Sequence, residues 1–264
     1  GKLEETGMKT LKKLLLTKAR VLFWLWYLPG VVWLIWMSAA RPDLEVAPLF
    51  LFMVWVVLGF WAINLSVGLL RRPALQALDE DCDPEPLLEL CQAVIRQNRQ
   101  VVSYRVLEAW ALTLLGREKE ALASANLVEG RWKLKRSAAL VITWCAVLPP
   151  DDPRREKTLK HMSKGLFVPR KFRRAAKEML EWSETVSKLG ESAPELEPIL
   201  LERLEAARCT RDQVAAHMVL GVYYCRRGQI DKAQEHLSFV AAHGGKLAIR
   251  VEAERMLCHL PATE

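Results

Sequence analysis

The sequence predicts an all-α protein, a two-helix transmembrane hairpin followed by a solenoid of paired helices. Three observations predict it. Two long runs near the N-terminus are almost free of charge, the remainder has helical periodicity broken at short intervals, and strand-like alternation is nearly absent.

The first run, residues 21–40 (VLFWLWYLPGVVWLIWMSAA), carries no charge. As a helix it spans about 30 Å, the thickness of the hydrocarbon core. The second run, residues 46–70, is polar only at Asn64 and Ser66 and is long enough to span with tilt. Between them, ARPDLE supplies a polar turn with a helix breaker at Pro42. So short a link makes the two helices antiparallel. Pro29-Gly30 is placed to bend the first helix, and Gly59, Ala62 and Ser66 leave room for close approach of another. Trp55 and Trp61 lie near mid-helix, where packing within the hairpin is expected, with a partner as the alternative.

Flanking cations orient the hairpin. Lys9, Lys12, Lys13, Lys18 and Arg20 precede the first helix and Arg71 and Arg72 follow the second, against Arg41 alone in the loop. The positive-inside rule then places both termini in the cytoplasm at the cell (inner) membrane of a bacterial-type cell, with the loop outside. Trp24, Trp26 and Tyr27 fall at the inner interface and Trp33 and Trp36 at the outer one, as amphipathic rings prefer. Residues 1–20 form a basic tail, whose first seven precede Met8 and are read as a non-native or alternative start. Three other readings compete, of which an interfacial amphipathic helix fails because neither run has a polar face. A signal peptide is suggested by the Lys-rich start and by Ser38-Ala39-Ala40, but the run is long and Trp-heavy for one. A buried soluble hairpin would rarely be charge-free on every face twice over.

The same division explains the charge. A net charge of +7 and pI near 9.2 would invite nucleic acid as a partner. Residues 1–20, however, hold six Lys/Arg against two Glu, whereas residues 71–264 hold 31 against 27. Much of the excess therefore belongs to membrane topology, which argues against nucleic acid. Six scattered cysteines (Cys82, Cys91, Cys145, Cys209, Cys225, Cys258), without a Cys-x-x-Cys, read as reduced and mostly buried thiols.

After a linker at residues 71–83, residues 84–264 form a helical domain. Asp83-Pro84 makes an N-cap with proline behind it, opening a helix to about Gln97. Further helices are expected over 101–115, 117–128, 132–147, 153–164, 169–188, 194–207, 210–227, 229–242 and 246–258. Breaks fall at Gly116, Glu129-Gly130, Pro149-Pro150, Gly165, Gly190, Gly228 and Gly244-Gly245. Helices of this length with short links are what a helix-pair solenoid requires.

Residues 217–241 (HMVLGVYYCRRGQIDKAQEHLSFVA) carry Leu220-Gly221, Tyr224, Gly228, Ala233 and Leu237 in a small, large, turn, small order. This spacing resembles the tetratricopeptide repeat. A weaker match spans residues 105–127, where Ala109, Leu112, Gly116 and Ala121 repeat the offsets. Glu108 stands where leucine is expected, and His217 where tryptophan is expected. The resemblance implies Gly221 and Ala233 small for helix approach, Tyr224 and Leu237 filling the gap, and Gly228 at the turn. It also implies a curved array whose concave face receives a peptide or protein, closed by a terminal cap helix after Gly245. Residues 131–210 show paired helices without the signature.

The residues offer little chemistry. There is no phosphate-binding glycine loop and no His-Glu-x-x-His or Cys/His metal cluster, so neither cofactor nor metal is expected. His217, His236 and His243 near Cys225 read as structural or solvated. The acids between Asp79 and Glu89 read as a solvated linker and helix-start cap. The most suggestive charged feature is residues 154–177, with ten Lys/Arg and one acid. Arg170, Lys171, Arg173 and Arg174 are its candidate contacts with an acidic peptide, nucleic acid or the anionic inner leaflet, the alternative being a basic outer face of the solenoid. Phe167, Phe172 and Trp182 are expected between helices. The expectation is a non-enzymatic, membrane-tethered scaffold binding a protein or peptide. The alternative is an accessory subunit of a membrane complex, of transporter or secretion type, bound through the hairpin.

Overall fold

The computed structural model describes residues 19–40, 47–97, 101–131, 134, 137–191 and 194–260. Residues 1–18 of the expected basic tail, residues 41–46 of the hairpin loop, and Lys133, Lys135 and Arg136 lie outside these. The chain divides into two units, one comprising residues 1–73 with 96–98 and the other the remainder.

α1 (Ala19–Ala40), in the first unit, and α2 (Ala47–Glu80), which starts there and continues into the second from Ala74, are long and apolar enough to cross a membrane. Their apolar faces are bare, with only 6% and 11% of the two apolar windows buried. A helix in a soluble core would show the reverse. Residues 71–83, expected to be a linker, are helical as far as Glu80. Pro73 removes one backbone donor without ending the helix, and Ala74 and Leu78 beyond it are buried. Those two side chains hold the last turns helical.

The second unit contains α3 (Glu85–Gln97), α4 (Val102–Leu114), α5 (Glu118–Asn126), α6 (Ala138–Val147), α7 (Pro153–Lys164), α8 (Arg170–Lys188), α9 (Leu196–Glu205), α10 (Thr210–Arg226), α11 (Ile230–His243) and α12 (Ala248–His259). A 3₁₀ turn follows α8 at Leu189–Glu191. Helix α6 starts at Ala138, where Ser137 is extended and its hydroxyl accepts the Leu140 N–H at 3.4 Å; residues 132, 133, 135 and 136 of the helix expected over 132–147 lie outside the described residues. At Asp152 the carboxylate caps α7 with proline at its first turn. α6 is apolar all round, and accordingly packs against α4, α5, α7 and α8. Its Trp144 indole donates to the Ala125 carbonyl at 3.1 Å.

Helix pairs α4–α5 and α10–α11 share one turn geometry. Gly116 and Gly228 both adopt positive φ, +74° and +69°. In each pair the following residue donates back five residues, Arg117 N to Leu112 O at 2.9 Å and Gln229 N to Tyr224 O at 3.0 Å. Glycine adopts this left-handed turn without the Cβ penalty. Leu237 lies over Gly221, where a Cβ would stand 2.7 Å from the leucine side chain. Ala109, Ala121, Leu220, Tyr224 and Ala233 are buried.

The helices of this unit close a circuit. Trp182 of α8 packs on a core of Leu196, Leu200, Leu220, Tyr223, Tyr224 and Ala233. A second core joins Cys82 to Val214, Leu237, Val240, Leu247 and Ala253, with Leu114 of α4 packed against it. Lys246 N donates to Cys82 O at 3.0 Å, and Lys246 Nζ pairs with Asp83 at 2.8 Å and with Glu85. A Cβ on Gly116 would meet Ala248 at 2.9 Å. α12, expected as a terminal cap, packs against α11 and also meets the start of the same unit at Cys82 and Gly116. The acids expected to be a solvated linker include two partners of this clamp, and Asp79 pairs with Arg211 at 3.2 Å.

Candidate functional site

Within the hairpin, two segments of identical spacing face each other. Trp26 and Gly30 on α1, and Trp55 and Gly59 on α2, each place tryptophan four residues before glycine. The indoles stack with centroids 4.2 Å apart. Each donates its N–H to the other's backbone carbonyl, Trp26 to Trp55 at 3.0 Å and Trp55 to Trp26 at 3.2 Å. Every indole covers the opposite glycine, since a Cβ on Gly30 would stand 2.7 Å from Trp55 and one on Gly59 2.2 Å from Trp26. Trp55 thus packs inside the hairpin. Ser66 and Asn64 return their donors to carbonyls one turn earlier, at 2.8 and 2.7 Å, which is how polar groups are satisfied within an apolar span. On the outer side of α1, Leu28, Pro29, Val32, Trp33 and Trp36 line an open apolar groove of about 530 Å³.

The basic stretch resolves into paired and unpaired members. Arg154 is structural, bound to Asp152 at 2.6 Å and Glu129 at 2.7 Å, which hold its guanidinium charged. Lys160 pairs with Glu156, Arg174 with Glu178 at 2.8 Å, and Lys177 with Glu181 at 3.4 Å. Of the predicted contacts, Arg170 and Lys171 are exposed and Arg173 is half-buried. Among the described residues no carboxylate pairs with these three or with Lys164. They stand in the first turn of α8, which holds no acid. Cations there oppose the helix dipole by about 0.3–1 kcal/mol each, so their placement is not explained by helix stability.

The turn between α7 and α8 joins these cations to an apolar tip. Val168 N donates to Gly165 O at 3.2 Å, which places Leu166 and Phe167 at the two central positions. Leu166 is 87% exposed and Phe167 fully so. The expectation that Phe167 packs between helices is therefore wrong, because the tight turn directs it away from both. Phe172 and Trp182 are half-buried, as expected. Spacing alone held the signal: Gly165 and Pro169 bracket three residues, too few to fold back.

The histidines form an aromatic column on α10 and α11. His217 Nδ1 and His236 Nδ1 are 2.7 Å apart, and His217 stacks on Phe239 at 3.9 Å. Burial first, and His236 second, hold His217 down to about 4. Burial also lowers His236. Tyr224 donates to Glu197 at 2.8 Å, and Lys232 pairs with the same carboxylate at 3.1 Å. All six cysteines are free, and burial pushes Cys82 to about 11 and Cys145 to about 12. Such thiols are inert rather than nucleophilic. Among the described residues no three His, Cys, Asp or Glu side chains gather as a metal site requires. No protein-family profile matches the chain, and comparison with curated proteins and with solved structures returns no match.

Proposed function

We propose that this chain is a membrane-tethered, non-enzymatic scaffold. Its hairpin spans the cell (inner) membrane with both termini cytoplasmic, and its tetratricopeptide-like helix pairs bind a protein or peptide partner. The observation carrying this reading is the bare apolar surface of α1 and α2, joined in one chain to a helical unit with its own cores. Exposing that much apolar side chain to water is costly, whereas lipid accepts it. The matching turns at Gly116 and Gly228 support the repeat resemblance, and the closed circuit directs a partner to the outer faces of the pairs. A crosslinked pull-down from solubilised membranes tests this, comparing the chain with one whose hairpin is replaced by an unrelated one. Partners retained after the swap support the scaffold.

The second reading, an accessory subunit of a membrane complex, draws on the groove lined by Leu28, Val32, Trp33 and Trp36. A neighbouring transmembrane helix would fill it by close packing. Partners lost on the swap support this reading.

A further inference from the structure

We propose that the α7–α8 turn is a second membrane contact, in which Leu166 and Phe167 enter the interface of an anionic bilayer and the surrounding cations bind lipid phosphates. The central positions of a tight turn ordinarily hold Gly, Pro, Asn, Asp or Ser. Here they hold a leucine 87% exposed and a phenylalanine fully exposed. The pair contributes nothing to the core and leaves apolar surface in water, so its return lies in a contact outside the fold.

The charge around the tip names the occupant. Lys164 ends α7, and Arg170, Lys171 and Arg173 begin α8. None has a carboxylate partner among the described residues, whereas the cations further along α8, Arg174 and Lys177, are paired. Cations without carboxylate partners around an apolar tip, Lys171 resting over the Phe172 ring at 4.8 Å, complement a surface that is negative outside and hydrocarbon within. An acidic peptide or RNA would use the cations and leave Leu166 and Phe167 wet. An apolar protein groove would use the tip but leave the cations unanswered. A phosphatidylglycerol surface uses both, with each cation strengthening attachment roughly fivefold. The proposal rests on the tether that keeps a bilayer within reach.

The test places a nitroxide on Phe167→Cys in the full chain, in a Cys258→Ser background, reconstituted in lipid discs. The signal from the remaining native thiols is subtracted. Because Phe167 touches no core residue, its replacement leaves the fold intact, and a label on exposed Glu235→Cys serves as the solvent reference. In discs containing phosphatidylglycerol, the label at 167 should collide several-fold more with oxygen and several-fold less with a nickel chelate than the reference. Arg170→Glu with Lys171→Glu, or discs of phosphatidylcholine alone, should return it to the reference values. Four results would overturn the proposal. The label stays open to the nickel chelate, it is shielded from both probes as protein would shield it, it is shielded only on adding polyglutamate or RNA, or its lipid contact is unchanged by the Glu variants or by neutral lipid. Failure of the tether reading looks different, since an alkaline wash would then strip the whole chain from the discs.

Discussion

Trp26 and Trp55 each donate an indole N–H to the other's backbone carbonyl while their rings stack at 4.2 Å. This reciprocal pairing satisfies two polar groups inside an apolar hairpin and fixes its register. Slipping one helix by a residue would break both bonds and drive each indole into a side chain in place of glycine.

Substitution of Gly59 tests that register. Gly59→Val should destabilise the hairpin by about 1–3 kcal/mol through overpacking against Trp26. Gly68→Val, with nothing within 4 Å of its Cβ position, should change little. Titration with a denaturing detergent, followed by tryptophan emission, separates the two.

Closure of the helical circuit depends on Gly245. Its φ is +50°, and a Cβ would stand 2.4 Å from the Asp81 carbonyl. Gly130→Ala, at φ +72° in open space, should cost only about 1–2 kcal/mol. Gly245→Ala adds a clash with backbone that cannot rotate away, so its loss should exceed that by about 1–3 kcal/mol. Urea unfolding followed by circular dichroism gives both values.

Acid should weaken the α10–α11 pair. Folded His217 sits near 4, below the ordinary value near 6.5, so the unfolded chain binds protons that the folded one refuses. The contribution of neutral His217 to the pair's stability is fully present above about pH 6.5, falls with pH, and is lost below about pH 4. Between pH 7 and 5 the loss should be about 1–2 kcal/mol, allowing for partial exposure. His217→Phe, which keeps the stack on Phe239, should flatten this dependence in denaturation curves taken at the two pH values.

Glu108 occupies the position where the repeat expects leucine. It is 8% exposed and accepts from Ser124 at 2.6 Å and Arg105 at 3.0 Å. Ser124→Ala removes a donor from a buried carboxylate and should cost about 1–3 kcal/mol. Glu108→Leu removes the desolvated charge itself and should be near neutral or stabilising. Thermal melts of the two variants decide the ordering.

Much of the architecture was legible from local pattern. The charge-free runs yielded α1 and α2, and glycines at positive φ marked the turns of both repeat-like pairs. What escaped depended on contacts distant in sequence. Pro73 reads locally as a breaker, yet burial of Ala74 and Leu78 carries the helix past it. The meeting of Lys246 with Asp83 and Glu85 spans most of the domain and leaves no periodic trace. At the candidate site, composition revealed the cations. Their partition into Arg154 and Arg174, bound to carboxylates, and Arg170, Lys171 and Arg173, without a carboxylate partner among the described residues, required the structure, as did the exposure of Phe167.

The proposed hairpin anchor would hold the helical unit on the cytoplasmic side. Cys258 is an exposed free thiol on the last helix, and its reaction with a membrane-impermeant maleimide reads that side directly. With the helical unit inside, Cys258 should stay unlabelled in intact spheroplasts and label fully once they are ruptured. Labelling of Cys258 in intact spheroplasts would contradict it.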